Sequence, residues 1–331
     1  MNRADITAWV LTDGKAGDEA QCLGLVEALG ATIDVRRVHP RPLVSWAMPW
    51  GPIDPAEAPS RPGSPLAPPF PDILVASGRR AVPYVRAVKR ASGGRTFTVI
   101  LKDPRTGAAA ADLIWVPEHD RLRGPNVIAT ATAPHRLSAA ALAGARATPD
   151  RRIAALGRPR IAVLLGGDSR HHRFTEADVS RLAGALRSLA NDGAALAVTA
   201  SRRTPPGLLA AVQGIAGPGH FLWNGSGDNP YRSMLATADA IVATADSTNM
   251  IGEAAATGFP ILVFSPSGGH PKIDAYLGAL TRYGAVRPLT DRLEAFRYEP
   301  LDSTPRIAAA VAAALDRHRA ARRAVPPPDV P

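Results

Sequence analysis

The feature that most constrains this chain is a repeated unit: a short apolar run, a cluster of Gly, Ser, Thr, Asp or Arg, and then a helical periodicity. The run Asp5–Leu11 (DITAWVL) enters TDGKAGDEAQ, after which Leu23, Val26 and Leu29 fall on one helical face and Gly30 ends the helix. Ile33–Val38 reads as the next strand. Asp72–Ala76, Thr96–Leu101, Asp112–Val116 and Asn126–Thr130 continue the series, ending in SGRR, KDPR, PEHD and ATAPHR, with a helix over 81–91. A second series opens at Arg160 with IAVLLGGDS and a helix over 176–191. ALAVTASRR, HFLWN, ADAIVATADSTNM and PILVFSPSG are its further strands, with helices near 206–213, 229–236 and up to Thr257. Apolar strands joined through helices demand right-handed crossovers and parallel pairing. The predicted fold class is α/β, as two doubly wound, Rossmann-like domains. The expected boundaries are 1–150 and 151–304, with 145–160 as the connection, a basic helix over 305–324 resting back on the first domain, and a frayed tail at 325–331.

One segment breaks the rhythm. Residues 40–71 hold eleven prolines in 32 positions. Proline lacks an amide donor and suits neither helix interior nor central strand, so an irregular, solvent-exposed excursion is expected. Trp46, Met48, Trp50 and Phe70 within it either pack the loop down or present an apolar contact surface to a protein partner.

Composition narrows the function classes. The 39 basic and 29 acidic residues give a net charge of +10. Only four of the basic residues are lysines, and the excess is spread over both halves. No recognised module or interleaving of aromatic with basic residues accompanies it, so nucleic-acid binding is not expected. The single cysteine, Cys22, can form neither an internal disulfide nor a multi-cysteine metal site. No run of about 18 apolar residues appears, and Asp5 interrupts the place a signal peptide would need. A cytoplasmic protein is expected, with a peripheral contact at the inner face of the membrane left open.

In an open parallel sheet, ligands bind beyond the C-terminal ends of the strands. At the first strand end stand Asp13, Gly14, Lys15, Gly17 and Asp18, either a plain tight turn or a place where amides meet an anion. The loop matches neither the P-loop nor the G-x-G-x-x-G pattern, which argues against a triphosphatase or a dinucleotide enzyme. Gly166, Gly167, Asp168 and Ser169 close the first strand of the second series, and Ser201, Arg202 and Arg203 the next. Hydroxyls, amides and guanidinium forks suit a diphosphate. Arg170 and the His171–His172 pair follow without companion ligands at metal spacing, so no metal is expected. Ser247, Thr248 and Asn249 open a helix where they can cap it or bind phosphate, and Glu253 lies a turn and a half on, on a face able to reach a ribose diol. The plainer alternative is an N-cap followed by an exposed Glu.

The pattern Ser/Thr-x-x-x-x-E-A-x-x-x-G-x-P between two apolar runs resembles the donor end of GT-B glycosyltransferases. The motifs TDGKAGDEAQ, KDPR, PEHD, APHR, LLGGDS and DSTNMIGEA resemble, more specifically, the bacterial members of the plant mitochondrial-fission "elongate mitochondria" family. The first resemblance implies a GT-B-like arrangement with a cleft between the domains, Glu253 on the ribose of a nucleotide-sugar, and the GGDS loop near its diphosphate. The second implies association with recruitment of a dynamin-like fission protein, hence a non-catalytic binding or scaffold protein. The segment 40–71 is not part of that pattern.

As a glycosyltransferase the chain would use a nucleotide-sugar as substrate, no cofactor and no metal, since no DxD motif is evident. The acceptor would be lipid-linked or a glycan. The acceptor side would hold Gly14, Lys15, Gly17, Lys102, Asp103 and Arg105, although Pro104 equally suits a fixed turn. Asp13, Asp18, His119 and His135 are the candidate general bases, of which at most one serves. A third expectation, a nucleoside-diphosphate-sugar epimerase, ranks lower because a G-x-G-x-x-G loop and a Tyr-x-x-x-Lys pair are both missing. The arginines of the last helix (Arg317, Arg319, Arg322, Arg323) either rest on the first domain or meet an anionic membrane.

Overall fold

The computed structural model describes residues 6–215 and 217–324. Two compact units are built from Met1–Arg136 with Ser303–Pro331, and from Leu137–Asp302. The expected frayed tail at 325–331 lies outside the described residues.

The first unit runs β1 (Thr7–Thr12), α1 (Ala16–Leu29), β2 (Thr32–Arg37), α2 (Pro42–Ala47), β3 (Ile73–Ser77), α3 (Ala81–Ala91), β4 (Phe97–Leu101), β5 (Leu113–Pro117) and β6 (Val127–Thr130). All six strands are parallel, in the order β2-β1-β3-β4-β5-β6. Alternate residues of one strand enter opposite cores, as a period of two requires. Trp9 and Leu11 join Leu74, Ile100 and Ile114 on one face, while Ala8 and Val10 join Val75, Val99 and Trp115 on the other.

The second unit runs α4 (Ala139–Ala147), α5 (Arg151–Ala154), β7 (Arg160–Leu165), β8 (His172–Arg173), α6 (Glu176–Asn191), β9 (Ala195–Ala200), α7 (Pro206–Gln213), β10 (Phe221–Trp223), α8 (Tyr231–Thr237), β11 (Ala240–Thr244), α9 (Thr248–Ala255), β12 (Ile261–Phe264), β13 (Ser267–Gly268), α10 (Pro271–Tyr283) and β14 (Val286–Pro288). Its main sheet is parallel in the order β10-β9-β7-β11-β12-β14, and β8 and β13 form a small antiparallel ribbon. Counted from β7, this is the 3-2-1-4-5-6 order of dinucleotide-binding folds, with its switch point between β7 and β11.

The chain returns to the first unit with α11 (Thr304–Arg323). Ser303 Oγ and Thr132 Oγ1 lie 2.9 Å apart, and the His135 amide donates to Thr304 Oγ1 at 3.1 Å. Ile307, Val311 and Leu315 then enter the same core as α1. Part of its basic set is spent there: Arg319 pairs with Asp72 at 2.8 Å, Arg322 donates to the Gly93 carbonyl, and His318 packs edge-on to Phe97, while Arg317 and Arg323 are exposed and have no ion pair among the described residues.

Two expectations need correction. The unit boundary lies at 136/137 rather than at 150, because α4 packs on α8 and Leu142 belongs to the second unit's core. The segment 40–71 is not a loose excursion. It contains α2 and a 3-10 turn at Pro55–Glu57, Met48 and Leu66 are fully buried, and Phe70 packs against Trp9. Buried Asp54 accepts from the Arg41 guanidinium and amide and caps the 3-10 turn, which anchors the segment by its polar groups as well.

Candidate functional site

At the switch point of the second unit, Gly166 and Gly167 follow β7 and face Asp246 and Ser247 after β11. A Cβ on Gly166 would lie 2.2 Å from Ser247 Oγ, and one on Gly167 only 1.9 Å from the Arg203 carbonyl oxygen. Only glycine fits such an approach, so both positions are explained by contact rather than by φ. Beneath them Asp246, its side chain fully buried, accepts from the Gly167 amide at 2.9 Å, Thr244 Oγ1 at 2.7 Å and Arg203 at 2.9 Å. Ser247 occupies the N-cap position of α9 but makes no side-chain cap; its hydroxyl turns to Asp246 at 3.2 Å. The positive end of α9 therefore faces the glycine loop without a side-chain acceptor from its own N-cap. Thr248 and Asn249 form its first turn, and the Thr248 carbonyl accepts from Tyr276 at 3.2 Å.

Several residues expected to bind a ligand are used by the loops themselves. Arg203 donates to the Gly167 and Asp168 carbonyls as well as to Asp246, so its charge is spent on the loop. Asp168 accepts from the Phe174 amide, and Ser169 Oγ from the amides of His171 and His172. Ser201 Oγ accepts from the Arg203 amide. Arg202 is exposed and has no ion pair among the described residues. Glu253 is not the exposed residue of the plainer alternative: Tyr231 donates to it at 2.5 Å. Burial raises the Glu253 pKa above its ordinary value, and the Tyr231 bond offsets only part of that rise. The same pairing pushes the Tyr231 phenol well up, with burial the larger cause.

The first unit has its own switch point between β1 and β3. Gly14 holds φ +84° and its amide donates to Thr12 Oγ1, while Lys15 and Gly17 lead into α1. Asp18, in the first turn of α1, accepts from Ser77 at 3.0 Å and from Lys102 at 2.5 Å. Burial raises its pKa, but the Lys102 charge and both hydrogen bonds outweigh this, and the carboxyl ends below its ordinary value. Lys102 and Arg105 are non-glycine residues at positive φ (77° and 64°), a strained turn that Asp103 stabilises by accepting from the Arg105 amide. Asp13 has a nearly buried side chain; its Oδ2 pairs with Lys15 at 2.9 Å and Arg80 at 3.5 Å, and its Oδ1 has no hydrogen-bond partner.

The four candidate bases therefore separate. Asp13 and Asp18 share the β1 strand end, with Asp18 committed to Lys102. His119 lies partly exposed beyond β5. His135 is buried where the chain crosses α1: a Cβ on Gly24 would lie 2.4 Å from the His135 carbonyl carbon. Its place is a packed joint between α1 and the start of α11. Among the described residues, no group of three or more His, Cys, Asp or Glu side chains is arranged to hold a metal ion.

Sequence reasoning missed Asp246, Tyr231 and Ser77. Asp246 stands inside the ADSTN motif, beside the residues that were singled out. Its position as the last residue before a helix N-cap, at the switch point, was the available signal. Nothing local marks Tyr231 or Ser77, which reach their partners across 22 and 59 positions of chain.

Comparison with known proteins bears on the fold and on the family. The M. jannaschii UDP-GlcNAc 2-epimerase is 10% identical, with a TM-score of 0.52 over 93% of this chain and 99% of that one. The S. aureus MnaA–UDP co-structure is 14% identical, with a TM-score of 0.50 over 95% and 89%. These likenesses show the fold, two six-stranded parallel α/β units of the GT-B-like class. In sequence, the chain is 28% identical to "Mitochondrial fission protein ELM1" of Arabidopsis thaliana over 76% of this chain and 65% of that one. It is 29% identical to "Uncharacterized protein RP120" of Rickettsia prowazekii over 46% of each. Both matches span less than two thirds of the relative's length. The family model "Mitochondrial fission ELM1" matches residues 16–315. The chain belongs to the mitochondrial fission ELM1 family.

Proposed function

We propose that the second unit binds a nucleotide-sugar at the β7/β11 strand ends and that the protein transfers the sugar to an acceptor hydroxyl without a metal ion. The observation that carries this proposal is the Gly166–Gly167 backbone pressed against Asp246 and Ser247 beside an α9 N-terminus that lacks a side-chain cap. Helix N-termini favour anions, and the exposed Arg202 adds a positive charge. The UDP named in the S. aureus co-structure supports the same ligand class.

In this scheme Ser247, Thr248 and Asn249 receive the diphosphate, and Glu253 meets the ribose by yielding or sharing its Tyr231 bond. Arg202 and the helix dipole stabilise the charge that develops as the diphosphate leaves. The acceptor oxygen attacks the anomeric carbon, the bond to the diphosphate breaks, and a base takes the hydroxyl proton.

The test is calorimetry and thermal shift with UDP and a panel of nucleotide-sugars. Ligand at about 100 times its Kd adds about 2.7 kcal/mol to the unit that binds it, a readable shift. Absence of binding by every nucleotide, or binding untouched by Glu253→Ala, defeats the proposal. The family name supports a second reading, a binding protein that keeps the fold without turnover. It is distinguished by nucleotide binding with no sugar product from any acceptor, and conversion of the nucleotide-sugar alone marks an epimerase instead.

A further inference from the structure

The segment carrying α2 is anchored, yet it turns three large apolar side chains outward. Leu43, Trp46 and Trp50 are 88%, 84% and 67% exposed. Leu43 and Trp46 lie one helical turn apart on α2, and Trp50 follows just past its end. Their exposure is not looseness, because the adjoining backbone is clamped by α3 and the loop before it. Arg79 donates to the Met48 carbonyl at 2.7 Å, Arg86 donates to the Pro49 carbonyl, and the Met48 side chain is fully buried.

Beside Trp50 lies a hollow of about 500 Å³ lined by Ile53, Pro83, Arg86, Lys89 and Arg90. The acids of this region are already occupied: Asp54 by Arg41, Glu57 by the Tyr84 hydroxyl, and Asp112 by Lys89 at 2.5 Å. Arg86 and Arg90 have no ion pair among the described residues, so the rim keeps uncompensated positive charge.

We propose that this face docks the protein on a bilayer containing anionic phospholipid. Leu43, Trp46 and Trp50 enter the interfacial zone, where the amphipathic indole ring is favoured, and Arg86 and Arg90 meet lipid phosphates at the hollow. Area argues against a stable protein partner on this patch alone. Two tryptophans and a leucine bury roughly 500 Å², whereas a standard protein interface needs about 800 Å² from each side. The attachment is peripheral in kind, since among the described residues no helix is long and apolar enough to cross a membrane. It lies on 42–50 and α3, where the exposed tryptophans stand beside Arg86 and Arg90.

The test is flotation of the full chain with vesicles of phosphatidylcholine alone and with about 30% phosphatidylglycerol, with quenching by brominated lipid as a depth readout. The proposal expects partitioning at least about tenfold stronger on the anionic vesicles, weakened by added salt. A Trp46→Ser/Trp50→Ser double variant, whose melting should match the wild type because both rings are exposed, is expected to lose at least about tenfold. Arg90→Gln is expected to weaken binding to anionic vesicles only. No binding to either vesicle, equal binding to both, or full binding by the double variant overturns the proposal. So does a concentration-dependent dimer that the double variant abolishes, since that makes the patch a self-association face.

Discussion

Gly167→Ala adds one methyl group where the structure has no room for it. The new Cβ would sit 1.9 Å from the Arg203 carbonyl oxygen, 2.1 Å from its carbon and 2.5 Å from the Thr204 amide nitrogen. Ordinary contact begins near 3.4 Å, so one backbone segment must retreat by about 1.5 Å. Neither can move freely. Gly167 donates to Asp246, Asp168 donates to the Arg203 carbonyl at 3.2 Å, and Arg203 donates back to the Gly167 carbonyl at 3.1 Å. Overpacking costs about 1–3 kcal/mol, and losing an amide bond to a buried carboxylate about 1.5–3 kcal/mol. The two overlap, so about 3–4 kcal/mol is expected together. In a unit of this size each kcal/mol moves the midpoint by about 2–4 °C, giving a fall of roughly 6–16 °C in the second unit's transition. Scanning calorimetry reads it directly. Gly184→Ala is the control: Gly184 lies within α6, and its Cβ would meet nothing within 4 Å. Alanine there should stabilise by about 0.5–1 kcal/mol. If Gly167→Ala melts within about a degree of the wild type, the close approach is not a constraint and the account of this loop is wrong.

Two further outcomes follow from the buried carboxylates. Asp18 has a depressed pKa, so its contribution is present above the unfolded-state value of about 3.9 and is lost as pH falls through the folded one. Asp18→Asn should therefore be less stable than wild type by about 1–2 kcal/mol at neutral pH, discounting for the half-exposed Lys102, with the gap closing in acid; urea unfolding at several pH values measures this. Glu253 has the opposite sign, because burial raises its pKa. Its contribution is full below the unfolded-state value and declines as pH rises through the folded one, so Glu253→Gln should gain on wild type with rising pH; equal slopes of stability against pH would refute this.

The fold was legible because its signal is local and repeated. Each apolar run ends in small or polar residues, and helices such as Glu176–Asn191, Pro206–Gln213 and Ala81–Ala91 start and stop where caps, prolines and periodicity place them. The short edge strand β14 (VRP) has no such pattern, and the β8–β13 ribbon forms between segments about 95 residues apart, so neither announces itself in sequence. The segment 40–71 misled for a related reason. Prolines report that regular structure is broken, but not whether Met48 and Leu66 find a core to enter. At the candidate site, the glycines and the ADSTN helix start were legible as loop chemistry. What each charge does there was not. A guanidinium that will bind a ligand and one that will bind its own loop are the same letter, and only the buried Asp246 separates Arg203 from Arg202.

That distinction reaches both units. At each switch point a carboxylate is buried beneath the strand-end loop and held by a cation that arrives from another strand end: Asp18 by Lys102 after β4, Asp246 by Arg203 after β9. A buried charge without a partner is costly, so removing either cation exposes its acid to that cost and frees the loop above it. Charge at these strand ends therefore does two separable things. Lys102 and Arg203 fix the shape of the loops, while the exposed Arg202 has no ion pair among the described residues and, in the proposed scheme, meets the diphosphate. Charge removed at Arg203 should change binding through loop geometry, together with stability; charge removed at Arg202 should change binding alone. The same division applies to the chain's excess of +10. Arg319 and Arg322 hold the last helix in place, and Arg86 and Arg90 border the exposed tryptophan face. Where an arginine's donors end, rather than how many arginines there are, decides which of them has a partner outside the chain.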